Sequence, residues 1–183
     1  GVADRAIPHS LGVAPGMVII KPYETSSNWT VCHRGLNANL FLNQSIAAAG
    51  IRSARELNQN NFTISDFSGV NGAGTKYIAY VFAHDPSASG LIQCGTYIGS
   101  SVVDLGWEPQ WILVKRSDGQ TPWYIFDNKR SVSNPRASLS PNTDGAELAG
   151  SLLDILNNGF MARSGSQLAV GNWVYMAIRK GAA

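Results

Sequence analysis

The sequence predicts an all-β protein with minor helix: a β-sandwich, jelly-roll or concanavalin-like, built from two pseudo-symmetric halves. Three observations predict it. Charged residues make up only 14% of the chain, well under the roughly 25% of an average globular domain, which suits a many-turned body with a neutral polar surface. The 19 glycines, with abundant Ser, Thr and Asn, punctuate short apolar runs as tight turns punctuate strands. Third, the chain repeats itself. LGVAPGMVIIKPYETSSNWTVCH at 11–33 returns as LGWEPQWILVKRSDGQTPWYIFD at 105–127, with Leu, Gly, Pro, Lys and Trp in one register at an offset of 94.

Each copy opens on a proline-marked turn, at Pro15 and Pro109, and continues into an apolar strand over 17–21 or 111–115. A polar turn leads to a second strand over 29–33 or 123–127, so each copy reads as a hairpin. Alternation places Trp29, Val31 and His33 on one face with Thr30 and Cys32 opposite. Trp123, Ile125 and Asp127 follow the same split, with Tyr124 and Phe126 opposite. The tryptophan faces, with their apolar neighbours, are expected to look inward. A central segment follows with weak helical character over 45–57. Over 147–157 the signal is stronger, because Leu148, Leu152, Leu153 and Leu156 recur at helical spacing before Asn158-Gly159. Strands around Phe62 and Phe160, then over 77–83 and 173–179, complete the halves at offsets of 98 and 96. GLIQCGTYIGSS at 90–101 adds a strand between halves that span about 7–90 and 98–180 of a single domain, 1–183, with one continuous core.

Fourteen basic and twelve acidic residues leave a net charge of +2, scattered without runs. A polyphosphate partner leaves an electrostatic footprint that this chain lacks, so nucleic acid is not an expected partner. No apolar run approaches the roughly 18 residues of a membrane span, and GVADRAIPHS lacks the order of a signal peptide, so no membrane insertion is expected. Opening on Gly without Met, the chain reads as a piece of something longer. Cys32 and Cys94 form neither a disulfide framework nor a zinc motif; they read as buried free thiols or, alternatively, as one bridge.

His9, His33 and His84 fall in no metal-ligand spacing, and neither a metal nor another cofactor is expected. NGAGTK at 71–76 precedes a strand, the wrong context for a phosphate-cradling loop. His33 and Asp127 sit at equivalent repeat positions, and a His beside an Asp is half of a hydrolytic triad, yet no setting activates a particular Ser. The dispersed carboxylates do not declare a glycosidase pair. Aromatic residues give the best functional hint. Trp29 and Trp123 recur and read as core, whereas Trp107 and Trp111 replace Val13 and Met17, so the scaffold does not require rings there. Trp107, in a turn beside Glu108, reads as an exposed platform for a sugar or a partner, with burial the competing reading. The candidate ligand-binding set is Trp107, Glu108, Trp111, His33 and Asp127. Asn28, Asn43 and Asn61 head N-x-S/T sequons, a number near chance for this composition.

The order LG-x-x-P, hydrophobic run, K, then W-x-V/I, then YIAYVFA or VYMAIR, with GTYIGSS ahead of the second copy, resembles a repeated β-rich module of uncharacterised function. That module recurs in tail-fibre-like and other structural proteins of phages, many of them marine. A GTYIGSS-like motif should also precede the first copy, which again suits a piece of a longer polypeptide. The resemblance implies a virion setting, in a tail or surface appendage, with other virion proteins or a host-surface glycan as partners and a homo-oligomer, a trimer, as the assembly common among fibres. The expected function is a non-enzymatic structural or adhesion module serving host attachment or assembly. A carbohydrate-binding module of a larger extracellular protein is the alternative, and a hydrolase the weaker third.

Overall fold

The computed structural model describes residues 4–131 and 133–181. The first half runs β1 (Arg5–Pro8), β2 (Pro15–Pro22), β3 (Thr30–His33), β4 (Asn39–Phe41), β5 (Ala54–Arg55), β6 (Asn61–Ile64), a four-residue helix α1 (Ser68–Asn71) and β7 (Tyr77–Ala83). The second runs β8 (Ile92–Ile98), β9 (Val102–Asp104), β10 (Pro109–Arg116), β11 (Tyr124–Asp127), β12 (Arg136–Ser138), β13 (Leu148–Leu156), β14 (Gly159–Ala162), a 3-10 turn at Gln167–Ala169, and β15 (Asn172–Arg179). The chain is a β-sandwich of antiparallel sheets, as the composition and the alternating strands imply.

Each half contributes an inner and an outer sheet. In the first half the inner order is β4-β3-β2-β7 and the outer β1-β6-β5; in the second they are β11-β10-β15-β8 and β12-β13-β14-β9. β2, β3, β10 and β15 are buried on both faces, so the apolar interior is three layers, the middle one shared by the two halves. Met17, Ile19, Val31, Leu113, Val174 and Met176 meet where the inner sheets pack on each other. Val18, Ile20 and Cys32 turn the other way, onto Phe62 and Ile64 of one outer sheet. Ile112, Val114 and Phe126 do the same onto Phe160 and Ala162 of the other. Strands buried on both faces read as unbroken apolar runs, which is why VII and ILV show no alternation.

The five repeated residues each have a structural duty. Gly12 and Gly106 hold left-handed backbone, φ +73° and +75°, with open space around the position a Cβ would take, so conformation rather than room demands glycine. Pro15 and Pro109 begin their strands just before a register shift that occurs at the same place in both copies, a position where a missing N–H costs no ladder bond. Lys21 Nζ donates to the Pro22 carbonyl at 2.6 Å and Lys115 Nζ to the Arg116 carbonyl at 2.8 Å. The Trp29 and Trp123 backbone N–H groups donate to Asn43 Oδ1 and Asn142 Oδ1, both at 2.9 Å. Leu105 is buried in the second outer layer, while Leu11 is half-buried.

Two expectations are overturned. Residues 147–157 do not form a helix but lie almost wholly within β13, whose Leu153 and Ile155 pair with Ala162 and Phe160. Leu148, Leu152 and Leu156 are four apart, a spacing that returns to the same face in a strand as in a helix, so the pattern could not discriminate. Residues 45–57 likewise hold no helix, only a bridge at Ala49 and the short β5. Both cysteines are free and buried in different layers.

Glycine substitutions separate the two demands on backbone. Gly12→Ala and Gly106→Ala should each lose about 1–2 kcal/mol through φ alone. Gly159→Ala, whose Cβ would stand 1.9 Å from the Val103 carbonyl oxygen, should lose about 3 kcal/mol or more. Urea unfolding of the three variants reads the difference directly.

Candidate functional site

The candidate residues divide between interior and surface. Trp107 is buried in the second outer layer, its indole N–H without a protein partner, and so is no exposed platform. The left-handed Gly106 turns the chain so that the ring re-enters the core. His33 is also interior: its Nδ1 accepts the Gly35 N–H at 3.1 Å, which leaves the proton on Nε2 to donate to the Tyr175 carbonyl at 3.0 Å. This bond ties the first inner sheet to the second. Desolvation lowers His33 to about 4, partly opposed by the Tyr175 bond, while Arg34 and His84 add to the lowering.

The other three gather at one end of the second inner sheet. Trp111, half-buried, is the cross-strand partner of Asp127 on one side and Ile178 on the other. With Gln110, Asn128 and Lys129 they line a shallow depression of about 380 Å³. Glu108 reaches it through Asn128, whose Nδ2 donates to Glu108 Oε1 at 3.3 Å, and is itself paired with Lys180 at 2.8 Å. The Lys180 bond is the main reason the Glu108 carboxyl sits below its usual range. Burial alone would raise Asp127. Backbone N–H bonds from Arg130 and Lys129, at 2.8 and 2.9 Å, and the Arg130 guanidinium, at 2.5 Å, outweigh it and hold the carboxyl low. Asp127 therefore caps its own turn. His33 and Asp127 share no bonding partner, one lying between sheets and the other in a surface depression, so the equivalence of their positions does not make a dyad.

A deeper concavity escaped the sequence reading. Ile20, Phe62, Ile64, Val70, Tyr77 and Ala79 wall a cleft of about 830 Å³ between the first outer sheet and β7, with Arg5, Tyr23 and the 72–76 loop at its mouth. The Tyr77 hydroxyl donates to the Ser68 carbonyl at 2.6 Å and accepts the Gly72 N–H at 2.7 Å. The NGAGTK segment is thus fastened as a rim, and Lys76 is further paired with Glu24 at 2.8 Å. Walls this apolar suit hydrophobic side chains better than a charged ligand.

Nucleophile chemistry has little support in these groups. Burial raises Cys32 to about 11 and Cys94 to about 12, which keeps both as thiols at neutral pH. Among the described residues no three His, Cys, Asp or Glu side chains gather as a metal would require, and no helix is long and apolar enough to cross a membrane.

The interior His33 gives a pH signature. Its folded value lies below the 6.5 of an exposed imidazole, so the unfolded chain binds the extra proton. Stability is full above pH 6.5, falls as pH drops toward 4, and loses on the order of 3 kcal/mol from this group. Urea unfolding at pH 7, 5 and 4 should show a steeper loss in the wild type than in His33→Gln.

No curated protein matches the chain, and no solved structure matches it either. The family model described as a domain of unknown function, DUF7483, matches residues 1–180. From β1 through β15 the fold described above is covered by that match, and the chain belongs to the DUF7483 family.

Proposed function

We propose that the chain is a non-catalytic structural or adhesion module of a phage virion, set in a tail fibre or other surface appendage and serving host attachment or assembly. The observation that carries the non-catalytic part is that the candidate polar groups are engaged by the scaffold or buried in it. His33 bonds the two inner sheets, Asp127 caps a turn, Glu108 is held by Lys180, and both thiols are buried. The virion setting is supported by the resemblance of the repeated LG-x-x-P…K…W motif and of GTYIGSS to modules of phage structural proteins. Other virion proteins or a host-surface glycan are the partners this reading supplies, with self-association into a trimer as its assembly.

A second reading, a carbohydrate-binding module of a larger extracellular protein, is favoured by the Trp111 depression. The half-buried Trp111 packs on the layer between the inner sheets and also lines the depression with Gln110, Asn128 and Lys129, which sets an indole beside amide and ammonium groups, a combination that suits a sugar. The hydrolase reading has no dyad of His33 and Asp127 behind it, since His33 bonds Tyr175 and Asp127 bonds its own turn.

Glycan arrays and host-cell pull-downs with wild-type and Trp111→Ala protein test attachment. Binding by the wild type that weakens at least about tenfold, or 1.4 kcal/mol, in Trp111→Ala supports adhesion through this depression. Binding that is untouched by the substitution moves recognition elsewhere, and empty results in both assays overturn the adhesion arm. Immunogold labelling of virions then tests the structural arm, which fails if the particles carry none of the chain.

A further inference from the structure

The two halves differ in one respect that their matching registers make measurable. Residues 77–82 of β7 pair with β2 in the register in which 173–178 of β15 pair with β10, at a constant offset of 96, so Tyr77 answers Trp173, Ala79 answers Tyr175 and Tyr80 answers Met176. β15 has a second neighbour, β8, which pairs with it antiparallel from Ile92↔Ile178 to Tyr97↔Trp173 to Ile98↔Asn172. β7 has none among the described residues: it ends its sheet.

What β8 does for β15 shows what the free flank of β7 is shaped to receive. The Tyr97 ring of β8 enters the second outer layer, stacked on Trp173 with centroids 6.2 Å apart and edge-on to Phe160 at 5.7 Å. Phe160 also meets Tyr175 at 5.2 Å. The counterparts of Phe160, Trp173 and Tyr175 are Phe62, Tyr77 and Ala79, and these three wall the 830 Å³ cleft. The cleft therefore lies where the second half places the Tyr97 ring, and Ala79 stands there in place of a tyrosine. Ile78 and Tyr80 are 44% and 46% exposed, whereas their counterparts Val174 and Met176 are 2% and 3% exposed. The strand itself, YIAYVFA, carries no charge and no proline, the devices by which edge strands ordinarily discourage pairing.

We propose that the free flank of β7 and the adjoining cleft form an acceptor for an extended polypeptide segment of β8 pattern. The segment adds antiparallel to β7, extends the first inner sheet to five strands, and sets an aromatic side chain opposite Tyr77 into the cleft between Phe62 and Ala79. Backbone bonds along the edge supply affinity, and the aromatic side chain in its cleft supplies register and specificity, as in other cases of strand addition. The inference rests on the two halves' geometry and not on a virion setting, so either can fail while the other stands.

A synthetic peptide with the sequence of residues 90–101, serine replacing its cysteine, is the probe, beside a control in which its tyrosine is aspartate. Hydrogen exchange of the wild-type protein is followed by mass spectrometry with each peptide in millimolar excess. The expected result is slowed exchange over 77–83, on the order of tenfold, with the tyrosine peptide and none with the aspartate peptide. No protection with either peptide, equal protection with both, or protection at 92–98 in place of 77–83 overturns the proposal. So does concentration-dependent protection of 77–83 without peptide, accompanied by a dimer in light scattering, because the edge would then be pairing with itself.

Discussion

The burial of one inner sheet against the other is the contact on which the rest of the structure depends. Met17, Ile19 and Val31 from the first half and Leu113, Val174 and Met176 from the second remove their side chains from water together, each contributing roughly 1.5–3 kcal/mol. Without that contact each half would be a small sandwich with one exposed apolar face. Directional bonds fix how the halves meet: Trp123 Nε1 donates to the Phe41 carbonyl at 2.9 Å, Ala48 N to Ser117 O at 2.8 Å and Thr121 N to Ser45 O at 2.9 Å. Lys115 sits in this junction with no exposed surface, its Nζ bonded to the Arg116 carbonyl, and burial lowers it to about 8. The repeat residues Ile19 and Leu113, like Val31 and Ile125, point into this layer from opposite sides.

Much of this was legible in the sequence because repetition reports structure twice. The hairpin positions and the strands at 77–83 and 173–179 could be placed by comparing one copy with the other, and the extra strand near 90–101 by its own apolar run between glycines. The helix reading of 147–157 failed where that comparison was weakest and where leucines four apart satisfy both periodicities. The outer sheets were hard to see for a related reason: β1, β5, β9 and β12 are two to four residues long, too short to carry a period.

The candidate residues show a similar limit. Reasoning that the scaffold does not need Trp107 or Trp111 picked out two rings, yet only Trp111 borders a surface depression. Trp107 fills space in the second outer layer while its counterpart Val13 is only half-buried, and sequence alone cannot distinguish added bulk from an added binding face. The equivalence of His33 and Asp127 was real but misleading. Equivalent positions in facing sheets need not touch, and the two halves meet with His33 against Tyr175 while Asp127 faces its own turn. The apolar cleft, by contrast, had a signal that could have found it: a strand preceding the second copy has no counterpart within the first, and a strand's place in a sheet is also a side chain's place in a core.

The dependence of both halves on the shared layer is tested most directly by hydrogen exchange in increasing denaturant, read strand by strand. The account predicts that the slowest amides of β2 and β3 and those of β10 and β15 open at the same free energy, as one cooperative unit, and that Leu113→Ala lowers both sets together. If the first-half amides open at a clearly lower free energy, or if Leu113→Ala lowers the second half alone, the shared layer is not what holds the structure together.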